Sequence, residues 1–167
     1  REHLQTEQYL QTSNLDYVVL RNGWYHENYT QQIPTYLERG IVGSGGHGQV
    51  SGAARADYAE AAAAVMTTAW STKKVFELGG FAYTLEVLAA EIARQTGREV
   101  RYTDLPVEIY QGILESALPT PVAEMLADAD RGLAAGDLLV SSNDLADLIG
   151  HPPATLAEAV AKALADD

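Results

Sequence analysis

Apolar and polar positions along this chain alternate with two different spacings, and the change from one to the other marks the elements. From Glu2 to Gln11 apolar residues fall at helical spacing, with Leu4 and Leu10 as anchors and His3 and Glu7 on one face four residues apart. Ser13-Asn14 ends that helix. Leu15 to Leu20 is rich in β-branched and aromatic residues, which predicts a short buried strand. At Arg21 the texture changes again. Asn22-Gly23 offers an exit from the strand at positive φ, and Trp24, Tyr25, His26, Glu27 and Asn28 then gather aromatic and hydrogen-bonding groups. This is the composition of a pocket lip at the carboxyl end of a strand, where open α/β sheets bind ligands. The same residues also suit a plain turn with Trp24 and Tyr25 packed under a neighbouring helix.

Tyr29 to Arg39 predicts a second helix interrupted by Pro34 and closed by Gly40. Ile41 to Gly52 is the most glycine-dense segment. Gly43, Gly45, Gly46 and Gly48 resemble a phosphate loop, but extended chain resumes at Gln49-Val50-Ser51 where such a loop needs a helix. The expectation is a turn between two short extended segments. Ala53 to Trp70 reads as a helix by propensity, with Asp57 as an N-cap or first-turn carboxylate and Glu60 three residues on as in a capping box. Val75 to Leu78 predicts a strand, and Thr84 caps a helix whose Leu85, Leu88, Ala89, Ile92 and Ala93 form one stripe before Gly97 stops it. Val100 to Thr103 predicts another strand, with Pro106 at the first position of the helix that follows. Past Leu118 the pattern is helical pieces: Val122 to Asp130, Asn143 to Ile149, and Leu156 to Leu164, the last after the rigid linker His151-Pro152-Pro153. Asp128 and Asp130 read as a solvated helix face. The order of strands and helices defines an α/β class.

Charge and composition narrow the function. Eleven basic against 23 acidic residues give a net charge of −12, which disfavours nucleic acid and anionic membrane surfaces as partners. The absence of cysteine removes disulfides, thiolate catalysis and zinc-thiolate sites. Four histidines, at 3, 26, 47 and 151, lack metal-ligand spacing, so no metal is expected. No apolar run is long enough to span a membrane, and a cytoplasmic location fits best. With 167 residues the chain suits a single domain, and its opening, R-E-H-L-Q-T-E-Q without Met, suggests part of a longer protein.

The ordered set H-x-x-T-E (His3, Thr6, Glu7), L-R-N-G-W-Y-x-E-N-Y (Leu20 to Tyr29), R-A-D-Y-A (Arg55 to Ala59), V-F-E-L-G-G, and L-I-G-H-P with T-L-A-E-A-V resembles the C-terminal part of NmrA-like atypical short-chain dehydrogenases. Within that family the branch most similar is the NAD(P)H-dependent quinone oxidoreductases. The resemblance implies a Rossmann-like fold whose glycine-rich, dinucleotide-binding N-terminal half is absent from this sequence. Residues 1–80 then correspond to the end of the sheet and the substrate cleft, and residues 81–167 to a mostly helical C-terminal lobe. It implies a small-molecule quinone as substrate and NADPH or NADH as cofactor, held mainly by the absent half. It also implies that Asn22, Gly23, Trp24, Tyr25 and Asn28 border the nicotinamide and substrate, with Asn22, Tyr25 and His3 as positioning or donating groups. The Tyr-x-x-x-Lys pair of other short-chain enzymes is missing from the helix around His3 to Glu7. A second reading is an NmrA-like regulatory protein that senses dinucleotide without turnover. None of these signals encodes an oligomeric state.

Overall fold

The computed structural model describes residues 2–68 and 75–166. Helix α1 (Glu2–Thr12) leads into strand β1 (Val19–Asn22), followed by α2 (Glu27–Thr30), α3 (Ile33–Arg39), β2 (Ile41–Gly43) and β3 (Val50–Ser51). Then come α4 (Arg55–Thr67), β4 (Val75–Leu78), β5 (Ala82–Tyr83), α5 (Leu85–Thr96) and β6 (Tyr102–Asp104). The chain ends on α6 (Val107–Glu115), α7 (Thr120–Ala135), α8 (Asp144–Ile149) and α9 (Leu156–Asp166). The α/β class is as the sequence implied. Trp70, the expected end of the alanine-rich helix, lies outside the described residues.

Strands pair in twos. β1 runs parallel to β4 with Val19 opposite Val75 and Asn22 opposite Leu78. β2 runs parallel to β6, and β3 antiparallel to β5. The two extended segments flanking the glycine turn therefore do not form a hairpin: each pairs elsewhere. Parallel pairing needs a crossover connection, and α4 supplies part of it between β1 and β4.

Two apolar clusters hold these pairs. One gathers Ile33, Ile41, Val50, Tyr83, Leu88, Ile92, Leu133 and Val160 around α5 and α9; the other gathers Ala53, Tyr58, Ala61, Phe76, Leu78 and Leu145 between the β1/β4 pair, α4 and α8. The stripe expected on α5 is buried at Leu85, Leu88, Ala89 and Ile92, and Thr84 Oγ1 accepts from Val87 N at 3.3 Å as an N-cap should.

Several boundaries differ from expectation for identifiable reasons. β1 begins at Val19 rather than Leu15, and Leu15 is 65% exposed, because only Val19–Asn22 finds the partner strand β4. The last strand sits at Tyr102–Asp104 rather than Val100 to Thr103, set by its register with Ile41–Gly43. Pro106 is the N-cap of α6, one place before its first residue, and β5 carries no sequence signal at two residues long. Leu4, expected as an anchor of α1, is exposed; the helix is tied instead through Arg21, whose guanidinium bonds Glu7 on α1 and Glu77 on β4.

Candidate functional site

After Asn22 the chain changes partners. Gly23 N still donates to Leu78 O at 2.8 Å, but Ala53 N then donates to Trp24 O and His26 N to Ala53 O, a parallel bridge between Tyr25 and Ala53. Gly23 does not leave the strand at positive φ as the Asn-Gly pair implied. Its lack of a side chain serves close approach: a Cβ there would lie 2.8 Å from Leu78 O and 3.2 Å from the Tyr58 hydroxyl.

Trp24 and Tyr25 straddle the seam between the two cores. Trp24 packs against the α5/α9 cluster, tilted on Tyr29 at 6.0 Å, with its Nε1 enclosed and without a partner among the described residues. Tyr25 packs against the other cluster, edge-on to Tyr58 at 5.1 Å, with the Arg55 guanidinium 5.4 Å from its ring centroid. Asn22 Nδ2 donates to the Tyr25 hydroxyl at 3.3 Å, so that oxygen is an acceptor here and its own proton is free to point elsewhere. Asn28 is exposed on α2 and His3 exposed on α1, within electrostatic reach of Glu7, whose carboxyl is lowered chiefly by its hydrogen bonds from Arg21. The structure thus brings Asn22 and Tyr25 into contact, sets Trp24 behind them, and leaves Asn28 and His3 on the surface.

Residues on other elements fix this segment. His26 is buried, its ring between the Tyr83 hydroxyl and Ala154 O at 3.1 Å each, and burial pushes its pKa below the usual value. The Tyr58 hydroxyl donates to Trp24 O, and burial raises that phenol out of the physiological range. Glu27 accepts from Arg55 N with both oxygens. Arg55 and Tyr58 lay within the R-A-D-Y-A motif that the sequence singled out, and His26 and Glu27 within the aromatic segment itself; Tyr83 and Ala154 are reached across long separations with no local signature.

The glycine turn is already occupied by the chain's own acceptors. Ser44 N donates to Asp130 Oδ2 at 2.6 Å, Gly45 N to the Tyr102 oxygen at 3.1 Å, and Gly46 N to Asp104 Oδ1 at 2.8 Å. Amides that would face a phosphate face two carboxylates and a phenol oxygen instead, in keeping with a turn. Asp130 is therefore not on a solvated face, as expected beside Asp128: it is half-buried, and desolvation raises its pKa. On α4, Asp57 is the first-turn carboxylate that the sequence offered. Asp57 sits in the first turn and reaches back to Ala54 N at 3.3 Å, while Glu60, expected to complete the box, pairs with His151. Asp57 Oδ2 also accepts from Ala154 N at 2.9 Å, linking α4 to the segment before α9.

Parallel strand pairs flanked by helices, with an aromatic and amide segment at the carboxyl end of β1, define the partial Rossmann-like architecture of NAD(P)-binding oxidoreductases. The chain is a close homologue of quinone oxidoreductase 2 of Escherichia coli, 47% identical over 162 residues, which is 95% of this chain and 57% of that protein. The resemblance to NmrA-like quinone oxidoreductases is thereby shown. The crystal structure of the same E. coli enzyme, NADPH-dependent quinone oxidoreductase, complexed with NADPH matches with a TM-score of 0.94 at 45% identity, covering 98% of this chain and 59% of that one. Triphenylmethane reductase of Citrobacter sp. complexed with NADP(H) matches with a TM-score of 0.87 at 30% identity, covering 96% of this chain and 57% of that one. The chain thus spans a little under 60% of the relatives it matches. No protein-family model matches it.

Proposed function

We propose that this chain is the substrate-side part of an NAD(P)H-dependent oxidoreductase that reduces quinones by hydride transfer. The observation that carries the reading is the 47% identity over 162 residues to quinone oxidoreductase 2 of E. coli. NADPH is the favoured cofactor, because the matching E. coli structure was determined with NADPH. The residues present do not fit the cofactor's pyrophosphate: the glycine-rich turn at Gly43 to Gly48 has its amides taken by Asp130, Tyr102 and Asp104. No step through the dinucleotide is assigned to these residues. Residues 1–80 then supply the end of the sheet and one wall of the cleft, and residues 81–167 the helical lobe behind it.

At that wall the proposed roles follow from local geometry. Hydride addition to a quinone leaves charge on oxygen, which a positioned O–H or N–H donor stabilises. The Tyr25 hydroxyl, oriented by the Asn22 amide, is the proposed donor, with Gly23 allowing close approach and Trp24 backing the wall. Asn28 and His3 border the opening as polar contacts. α1 carries no Tyr-x-x-x-Lys pair, the one feature that favours a dinucleotide sensor without turnover.

The test joins this chain to the remaining portion of the E. coli enzyme and follows NADPH oxidation with 1,4-benzoquinone. Quinone-dependent turnover is expected. A folded chimera that binds NADPH and reduces no quinone would establish the sensor reading in its place.

A further inference from the structure

We propose that Tyr58, on α4, is a positioning residue for the Tyr25 hydroxyl: it holds both the peptide and the ring of Tyr25, so that this hydroxyl stands at a fixed place on the cleft wall. This rests on the quinone-reducing reading of that wall and adds a residue that lies behind it.

Tyr58 meets three consecutive wall residues. Its hydroxyl donates to Trp24 O at 3.3 Å, its ring stands edge-on to Tyr25 with centroids 5.1 Å apart, and a Cβ on Gly23 would come within 3.2 Å of its oxygen. The carbonyl of Trp24 belongs to the peptide that carries Tyr25 N, so fixing its direction fixes where the Tyr25 side chain sets out. Arg55, three residues earlier on the same face of α4, lays its guanidinium 5.4 Å from the centroid of the Tyr25 ring. One helix turn thus grips the backbone and the ring of Tyr25. The ring in turn places its hydroxyl 3.3 Å from Asn22 Nδ2.

Core packing alone does not account for the Tyr58 hydroxyl. The residue is 3% exposed and shares its cluster with Ala53, Ala61, Phe76, Leu78 and Leu145, a setting that the ring of Phe would fill as well. Nor does Trp24 O need it as a partner, because Ala53 N already donates there at 3.1 Å. A second donor on one carbonyl adds direction: the peptide cannot turn without losing two bonds. Burial raises the Tyr58 phenol's pKa, so it stays a donor at neutral pH. A hydroxyl that must meet a developing charge gains from being held in this way, since small displacements of a reacting group cost rate steeply.

The experiment compares Tyr58→Phe, Tyr25→Phe and the double variant in the chimera with the remaining portion of the E. coli enzyme, using NADPH and 1,4-benzoquinone. Tyr58→Phe should lower kcat on the order of tenfold with KM changed less than about twofold. In the Tyr25→Phe background the same change should cost nothing further, because the group it positions is gone. A merely structural tyrosine would cost the same factor in both backgrounds. A second readout needs no turnover: in the isotope-labelled chain, the side-chain amide resonances of Asn22 report its contact with the Tyr25 hydroxyl. Tyr58→Phe should move them towards the positions they take in Tyr25→Phe. Unchanged kcat in Tyr58→Phe, equal losses in the two backgrounds, or wild-type Asn22 resonances in Tyr58→Phe each overturn the proposal. Tyr58→4-aminophenylalanine keeps a weaker donor in the same place and should fall between wild type and Tyr58→Phe on both readouts; it carries the test if the Phe variant does not fold. A chimera that reduces no quinone brings down the reading of the wall, and the Asn22 resonances then decide the role of Tyr58 alone.

Discussion

His26 Nδ1 lies 3.1 Å from the Tyr83 hydroxyl, a bond between β5 and the residue that follows the Trp24-Tyr25 wall. Because Ala154 O on the other side of the ring can only accept, Nε2 carries the proton and the Tyr83 hydroxyl donates to Nδ1. The neutral ring thus joins three distant parts of the chain. Gly52 makes room for it: a Cβ there would lie 2.7 Å from the Tyr83 oxygen and 2.9 Å from Nδ1.

This arrangement predicts an acid-sensitive fold. The pKa of His26 is lowered in the folded chain from 6.5, chiefly by desolvation, so just below that pH the unfolded chain binds a proton that the folded one does not. Stability from this group is complete above about 6.5 and declines as pH falls through the folded value. Thermal melts between pH 7.5 and 5 should therefore show a falling melting temperature, and His26→Gln should flatten that dependence while lowering stability throughout. An equally steep dependence in the variant would assign the effect to other groups.

Asp57 satisfies two backbone donors, Ala54 N and Ala154 N, and is only 7% exposed. Asp57→Ala removes the cap and leaves Ala154 N unpaired, at a cost of roughly 1–3 kcal/mol. Urea unfolding checks the value. A change within a few tenths of a kcal/mol would show that the segment before α9 relaxes freely.

Two glycines should respond in opposite directions. A Cβ at Gly48 would stand 2.2 Å from Leu133 O, whereas Gly112, in the middle of α6, faces open space. Gly48→Ala should destabilise by about 1–3 kcal/mol or more, and Gly112→Ala should stabilise by roughly 0.5–1 kcal/mol through helix propensity. Parallel denaturation curves decide. Similar effects at both sites would contradict the packing around α7.

At the proposed cleft wall, Tyr25→Phe removes the hydroxyl that Asn22 orients and keeps the ring against Tyr58 and Arg55. In the chimera with the remainder of the E. coli enzyme, kcat with 1,4-benzoquinone should fall on the order of tenfold to a thousandfold, with little change in melting temperature. Unchanged kcat would remove the donor role.

The Asn22 to Asn28 segment was legible as a change of chemistry at the end of a strand, since dense aromatic and amide groups after an apolar run leave a local mark. What those groups touch was not. Trp24 turns to one core and Tyr25 to the other, although nothing in adjacent aromatic residues distinguishes them. Asp128 and Asp130 look alike in sequence, yet one is exposed and the other binds Ser44 N across the fold.

By itself the sequence determined the helices with strong periodicity and caps. α5 and α9 lie close to where their apolar stripes and stop signals place them, because a helix's hydrogen bonds are local and its buried face repeats within a few residues. The homology was likewise readable from motifs in order along the chain. Tertiary structure alone decided strand partners and limits, the occupation of the glycine turn by Asp130 and Asp104, and the bonds His26 makes to Tyr83 and Ala154. Each joins residues far apart in the chain, where pairing depends on which partner the packed cores bring within hydrogen-bond distance, and local residue types do not carry that information.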